Sequence, residues 1–218
     1  MRDVTSSRTP TRNRGSRRAE ILDAAATLFA ARGFHGVSIE DIGGAVGVSG
    51  PALYRHFSGK DALLAEMLLN VSQRLRASAA EVVTGAGSAE QMLDTLIAGQ
   101  IAFALSEPAL ITVHDRELGN VPEPERRAIR RLQRLYAEEW VTVLAELYPR
   151  CPAADLRAAA HAVFGLLNST PHSAGDLPRE TMAPLLHRMA RAALSAIVGE
   201  RGVGERGDTE RGVGERGR

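Results

Sequence analysis

Within the stretch 49–60 the chain sets Tyr54, Arg55, His56 and Lys60, long side chains able to donate hydrogen bonds to anions. They follow directly on a run of small residues, Ser49-Gly50-Pro51-Ala52. A short helix opening at Ser49 offers almost no side-chain bulk at its N-terminal end and a set of donors one turn later. That combination suits a helix that enters a DNA groove end-on while neighbouring donors grip phosphates and fix its register. Lys60, with the N–H groups of the helix that follows it, supplies a second anion site. It is the only lysine in a chain with 26 arginines.

Two other groupings of polar residues lie further along. His114-Asp115-Arg116-Glu117 is the densest polar cluster of the later helices. It reads either as a receptor for a polar head group or as a solvated turn before Gly119. Arg126, Arg127, Arg130, Arg131 and Arg134 form a basic band. It reads as a solvated face partnered by Glu123, Glu125 and Glu138, or as an attraction for a phosphate-bearing ligand. Signs of catalysis are lacking: no serine lies in a nucleophile-elbow motif, no His/Glu pair has metal-ligand spacing on one helix, and the six histidines are scattered. The one cysteine, Cys151, excludes an internal disulfide and a Cys-rich zinc site, and it fits a reducing, cytoplasmic setting. No enzyme activity, metal or cofactor is expected.

The elements that must position these groups are helical. Apolar residues recur at helical spacing, and no stretch alternates like a half-buried strand. An all-α fold of about nine helices follows. The first helix reads from Arg17 to Ala31, with Ile21, Leu22, Ala25, Leu28 and Phe29 on one face and Gly33 as its stop. Ser38 opens a short second helix with Asp41 at its third position, a capping-box variant. Ser49 caps a third that runs through Phe57, with Pro51 in its first turn. Ile42, Ala45, Val46, Val48, Leu53 and Phe57 read as interior positions of this helix-turn-helix pair. Longer helices are predicted over 61–83, 89–105, 108–118, 122–147, 153–169 and 178–198.

A net charge of +1 conceals an uneven distribution. Residues 1–60 carry nine basic and five acidic side chains, and the remaining 158 carry eighteen and twenty-one. Anion binding therefore belongs to the N-terminal part. Residues 1–16 read as a disordered basic arm and 17–62 as a helix-turn-helix domain. Residues 63–199 read as a second helical domain, and the repeat Glu-Arg-Gly-Val-Gly-Glu-Arg-Gly makes 200–218 a disordered tail. The longest uncharged run, Ala158–Gly175, is broken by His161, Asn168, Ser169, Thr170, Pro171, His172 and Ser173, so no membrane span is expected.

One segment carries a specific resemblance. Arg18-Ala19-Glu20-Ile21-Leu22-Asp23-Ala24-Ala25, Leu28-Phe29, Gly33-Phe34, Ser38-Ile39, Ile42, Gly47-Val48-Ser49, Leu53-Tyr54-Arg55-His56-Phe57 and Lys60-Asp61-Ala62-Leu63 follow one another with the spacing of the DNA-binding domain of the TetR/AcrR family of transcriptional repressors, which this stretch closely resembles. The resemblance implies a three-helix DNA-binding domain on a helical ligand-binding and dimerisation domain. The family's phosphate contacts fall on Tyr54, His56 and Lys60, its capping positions near the backbone on Ser38 and Ser49, and its recognition-helix positions on Gly50, Pro51, Ala52 and Arg55. Gly43 departs from the alanine common in the family and weakens the second helix. Gly50 leaves no side chain to read a base at its position, whereas Ala52 offers a methyl group to thymine and Arg55 a fork to guanine or phosphate.

For the second domain the resemblance implies an effector pocket, with Phe103, Leu110, His114, Arg116, Tyr136, Trp140, Phe164 and Asn168 as candidate lining residues, each of which also suits core or surface packing. It implies a homodimer joined through the last two long helices, whose apolar stripes include Leu156, Ala160, Val163, Phe164 and Leu167, then Met182, Leu186, Met189 and Ala193. These stripes equally suit packing within one chain. The implied partners are double-stranded operator DNA, a second copy of the chain and a small-molecule effector that releases the DNA. An acyl-CoA, another lipophilic metabolite or a drug is the candidate effector class. The competing function is an architectural DNA-binding protein without an effector.

Overall fold

The first helix stops at Gly33, whose φ of +73° is the left-handed conformation that ends a helix at low cost only in glycine; its N–H donates to the Phe29 carbonyl at 2.9 Å. The computed structural model describes residues 14–173 and 177–198. Among them are ten α-helical segments: α1 Arg14–Arg32, α2 Ile39–Val46, α3 Gly50–Leu53, α4 Lys60–Thr84, α5 Ala89–Ser106, α6 Pro108–Glu117, α7 Glu123–Leu147, α8 Ala153–Leu167, α9 Thr170–Ser173 and α10 Arg179–Ser195. Two 3-10 turns, Leu118–Asn120 and Ala196–Val198, complete the described elements, which include no strand. The tail from residue 200, and the basic arm as far as residue 13, lie outside the described residues. Helix α1 opens at Arg14, earlier than the expected Arg17.

The chain divides into two compact units: residues up to Leu75 with Glu107–Gln133, and Arg76–Ser106 with residues from Arg134 onward. The grouping differs from the expected division at residue 62. Helix α6 and the first turns of α7 pack with α1–α3, so Val113, Val121 and Ile129 share a core with Ile21, Ala25, Phe29, Ile42, Leu53, Phe57, Leu63 and Leu64. Most of these side chains are fully buried, the larger aliphatic and aromatic ones each adding roughly 1.5–3 kcal/mol of transfer free energy. The second unit is built on Leu93, Leu96 and Ile97 of α5, Trp140 and Leu144 of α7, Leu156, Ala160, Val163 and Leu167 of α8, and Met182, Leu186, Ala190 and Leu194 of α10.

Two local details in the first unit depart from expectation. Ala45, read as interior, is exposed, and Val46 and Val48 are half-buried, because the eight-residue α2 turns inward only the face of Ile39, Ile42 and Gly43. Gly43, read as a weakness, has a packing reason. A Cβ there would lie 2.6 Å from the Val48 carbonyl oxygen, so the α2–α3 turn closes directly onto the helix backbone.

Candidate nucleic-acid interface and buried polar cluster

The second helix is started by a reciprocal cap. Ser38 Oγ accepts the Asp41 N–H at 3.0 Å, and Asp41 Oδ2 accepts the Ser38 N–H at 2.8 Å and its hydroxyl at 2.7 Å. The Ser38 hydroxyl, then its N–H, holds the Asp41 carboxyl below its ordinary range. Ser49 caps α3 differently from expectation: its carbonyl accepts the Ala52 and Leu53 N–H groups at 2.9 and 3.1 Å, while its hydroxyl makes no cap bond.

Helix α3 is shorter than predicted. After Leu53 the backbone tightens, with Arg55 N–H donating to Ala52 O and His56 N–H to Leu53 O. Leu53 and Phe57 point inward, at 0% and 3% exposure, and fix the orientation of everything between them. Ser49, Pro51, Tyr54 and Arg55 are exposed, and Gly50, Ala52 and His56 are half-buried. Tyr54 is 54% exposed, so its ring belongs to a surface. Arg55 has no ion partner among the described residues. The site for a Gly50 side chain lies 3.4 Å from Glu40 Oε1, which places an acid beside the start of α3.

The other cations around this surface are committed to the fold. Arg18 Nε donates to Glu66 Oε1 at 2.5 Å, its Nη2 reaches the other oxygen, and its Nη1 donates to the His56 carbonyl at 2.5 Å. The guanidinium also lies 4.2 Å over the Phe57 ring. Lys60, the predicted phosphate contact, donates to the carbonyls of Phe34 at 2.7 Å and Val37 at 2.8 Å and sits 4.3 Å over the Phe34 ring. Two of its three ammonium hydrogens therefore close the corner between α1 and α2, and one is left for an anion.

The candidate effector residues do not form one group. Leu110, His114 and Arg116 lie on α6 in the first unit: Leu110 is half-buried against that unit's core, His114 meets Gln133 and Asp115, and Arg116 is exposed. The run 114–117 is not one polar cluster, since Glu117 turns inward while Asp115 and Arg116 face solvent. Four candidates do converge in the second unit. Tyr136 stacks on Phe164 at 5.4 Å, and Trp140 meets the same ring edge-on at 5.0 Å. Tyr136 Oη donates to Gln100 Oε1 at 2.7 Å, and Gln100 Nε2 donates to Asn168 Oδ1 at 2.8 Å. Burial pushes the Tyr136 phenol well above its ordinary range, opposed by the neighbouring Trp140 indole. The buried Trp140 Nε1 has no hydrogen-bond partner among the described residues. Phe103 is half-buried on α5.

The structure also adds residues that the sequence reading passed over. Gln100 shares a buried face with Leu93, Ile97 and Ala104, and that lone polar residue on an apolar stripe was a readable signal. Glu117 is already named in the polar run 114–117; what that reading misses is its burial, one turn beyond the buried Val113. Arg18 gave no such signal, because Glu66 lies 48 positions away.

The apolar stripes expected to join two chains are largely used within one. Leu156, Ala160, Val163, Leu167, Met182 and Leu186 are buried in the second unit's own core, because α10 packs on α5 and α8. Phe164 is held in the aromatic cluster. Of the expected set only Met189 and Ala193 are exposed. The outer faces instead carry Ala158, Ala162 and Gly165 on α8 and Arg188, Met189 and Ala192 on α10. No group of three or more His, Cys, Asp or Glu among the described residues is arranged to hold a metal, and no single described helix is long and apolar enough to cross a membrane.

Comparison with known proteins fits this geometry. Residues 21–67 match the family described as bacterial regulatory proteins, tetR family, and residues 86–194 match the tetracyclin repressor-like C-terminal domain. The HTH-type transcriptional repressor KstR2 of Rhodococcus jostii is 28% identical over 135 residues, 62% of this chain and 66% of that protein. The match thus spans just under two thirds of that relative. Two solved structures share the fold. A TetR-family transcriptional regulator from Bordetella parapertussis has a TM-score of 0.69 at 24% identity, covering 83% of this chain and 93% of its own. The ketosteroid transcriptional regulator KstR2 of Mycobacterium tuberculosis has 0.68 at 20%, covering 84% and 94%. With the N-terminal match on α1–α4 and the C-terminal match spanning half of the sequence, the chain belongs to the tetR family of bacterial regulatory proteins.

Proposed function

We propose that the protein is a dimeric, DNA-binding transcriptional repressor released from its operator by a small lipophilic effector. The observation that carries the DNA-binding reading is the exposed face of α3, where Ser49, Pro51, Tyr54 and the ion-free Arg55 stand on a frame fixed by Leu53, Phe57, Arg18 and Lys60. On this reading Tyr54, His56 and the remaining Lys60 hydrogen meet phosphates. Pro51, Ala52 and Arg55 face the groove, and Gly50 lets the backbone approach. Ser38 and Ser49 place the ends of α2 and α3 near the DNA backbone. Repression follows the R. jostii relative, which is described as a repressor.

A second copy is required because two recognition helices span half-sites roughly 34–36 Å apart. The small residues on the outer faces of α8 and α10 permit close helix approach. The effector reading rests on the cluster of Tyr136, the buried Trp140 and Phe164 joined to the buried Gln100 and to Asn168, aromatic rings and hydrogen-bonding groups of the kind that line sites for flat or chain-like apolar molecules bearing a polar group. Acyl-CoA and steroid-derived metabolites belong to that class.

The test is enrichment of a duplex from a random-sequence pool by the purified protein, then measurement of its affinity across salt concentrations. Replacing Tyr54 with Phe removes a neutral donor, so it is expected to weaken binding to every duplex while leaving the salt slope, which counts charged contacts, unchanged. Failure to enrich any duplex refutes the reading. Sedimentation at micromolar concentration tests the dimer, and Met189→Arg is expected to yield monomers. Thermal shifts with a panel of acyl-CoAs and steroids test the effector class, and no shift across the panel favours the architectural alternative.

A further inference from the structure

Glu117 is the one buried carboxylate among the described residues, at 7% exposure, and it forms no ion pair among those residues. Both oxygens are used: Oε1 accepts the Phe34 N–H at 3.1 Å and Oε2 accepts Asn120 Nδ2 at 2.8 Å. A carboxylate buried on neutral donors is costly, and an apolar residue one turn after Val113 would serve packing better. Its presence calls for a reason beyond folding.

The geometry around Phe34 supplies one. The Phe34 carbonyl is held by Lys60, the first residue of α4, and its N–H by Glu117, the last residue of α6. Two helices thus grip opposite sides of the corner that follows Gly33. That corner leads directly into Val37, Ser38 and the start of α2. Asn120 steadies the carboxylate from the following 3-10 turn, which Arg126 braces through the Gly119 carbonyl at 3.1 Å.

We infer that Glu117 is a positioning residue for DNA binding, the group through which α6 holds the α1–α2 corner and so sets the orientation of α2 and α3. The inference rests on the reading that α2 and α3 bind DNA. It makes the place of α6 a determinant of the recognition surface, although Glu117 itself touches no nucleic acid. A displacement of α6 that breaks the Glu117–Phe34 bond frees one side of the corner while Lys60 still holds the other.

The experiment compares wild type, Glu117→Met and Glu117→Gln on the duplex enriched by the wild type, together with hydrogen exchange at the Phe34 amide. Met fills the space without an acceptor, whereas Gln keeps one oxygen for the Phe34 N–H. The Met variant is expected to bind about tenfold more weakly with an unchanged salt slope, because positioning is lost and phosphate contacts are not. Its Phe34 amide exchanges faster, and the Gln variant recovers binding to within about threefold of wild type. A folded Met variant binding within about twofold of wild type overturns the inference and leaves the proposed function standing. A Gln variant no better than Met also overturns it, and so does, should Met fail to fold, a Gln variant more than about tenfold weaker than wild type. If the wild type enriches no duplex, the proposed function fails first and the role of Glu117 in it fails with it.

Discussion

Replacing Lys60 with Met keeps the aliphatic stem and deletes the ammonium, and so isolates what the charge does. The structure gives that charge two carbonyl acceptors and an aromatic face within the protein itself. A hydrogen bond to a charged group is worth roughly 1.5–3 kcal/mol, and this half-exposed site allows water to recover part of the loss at each carbonyl. The contact over the Phe34 ring adds about 0.5 kcal/mol. The expected cost in DNA-free protein is therefore about 2–3 kcal/mol, which corresponds to a fall in Tm of roughly 4–12 °C for a chain of this size. The assay is thermal and urea unfolding followed by far-UV circular dichroism without DNA, paired with the salt dependence of duplex binding. A lysine that served only phosphate would leave unfolding unchanged and flatten the salt slope by about 0.9. Unfolding of Lys60→Met within about 0.5 kcal/mol of wild type would refute the structural argument.

Arg55→Ala should show the opposite pattern, with DNA-free stability changed by less than about 0.5 kcal/mol and duplex affinity reduced by about 1–3 kcal/mol in fluorescence anisotropy. Tyr136→Phe should cost about 1–2 kcal/mol in thermal unfolding, because the Gln100 carbonyl loses its donor inside the second unit. The cap on α2 should be acid-labile. Since the folded Asp41 carboxyl is held below its ordinary value of 3.8, its contribution is complete above that value and disappears as pH falls through the lowered one. The Ser38 amide resonance, followed by NMR down that range, should move with this loss, and Asp41→Asn should abolish the movement.

Much of the first unit could be read from local pattern, because the groups that define it are close in sequence. Ser38 and Asp41 announce a cap three residues apart, Gly33 ends α1, and Leu53 and Phe57 mark the inward face around α3. The same reading could not assign Lys60, since its carbonyl partners lie 26 and 23 positions earlier and become neighbours only after the corner closes. Periodicity identified the apolar faces of α8 and α10 but carried no information on whether the same chain or another covers them. The effector residues were chosen as polar or aromatic positions on apolar faces. That criterion found Tyr136, Trp140, Phe164 and Asn168, which converge around Gln100 and the Phe164 ring, together with three residues of α6 that belong to the other unit.

A chain with one lysine also has a single amine among its side chains, and that amine closes the corner. Amine-directed acylating reagents, and any enzyme that acetylates lysine, have no other side-chain amine as a target in these 218 residues. Modification there removes the positive charge and inserts bulk between the Phe34 and Val37 carbonyls. The modification rate of Lys60 thus becomes a clock for how often the corner opens, readable by mass spectrometry on otherwise unlabelled protein.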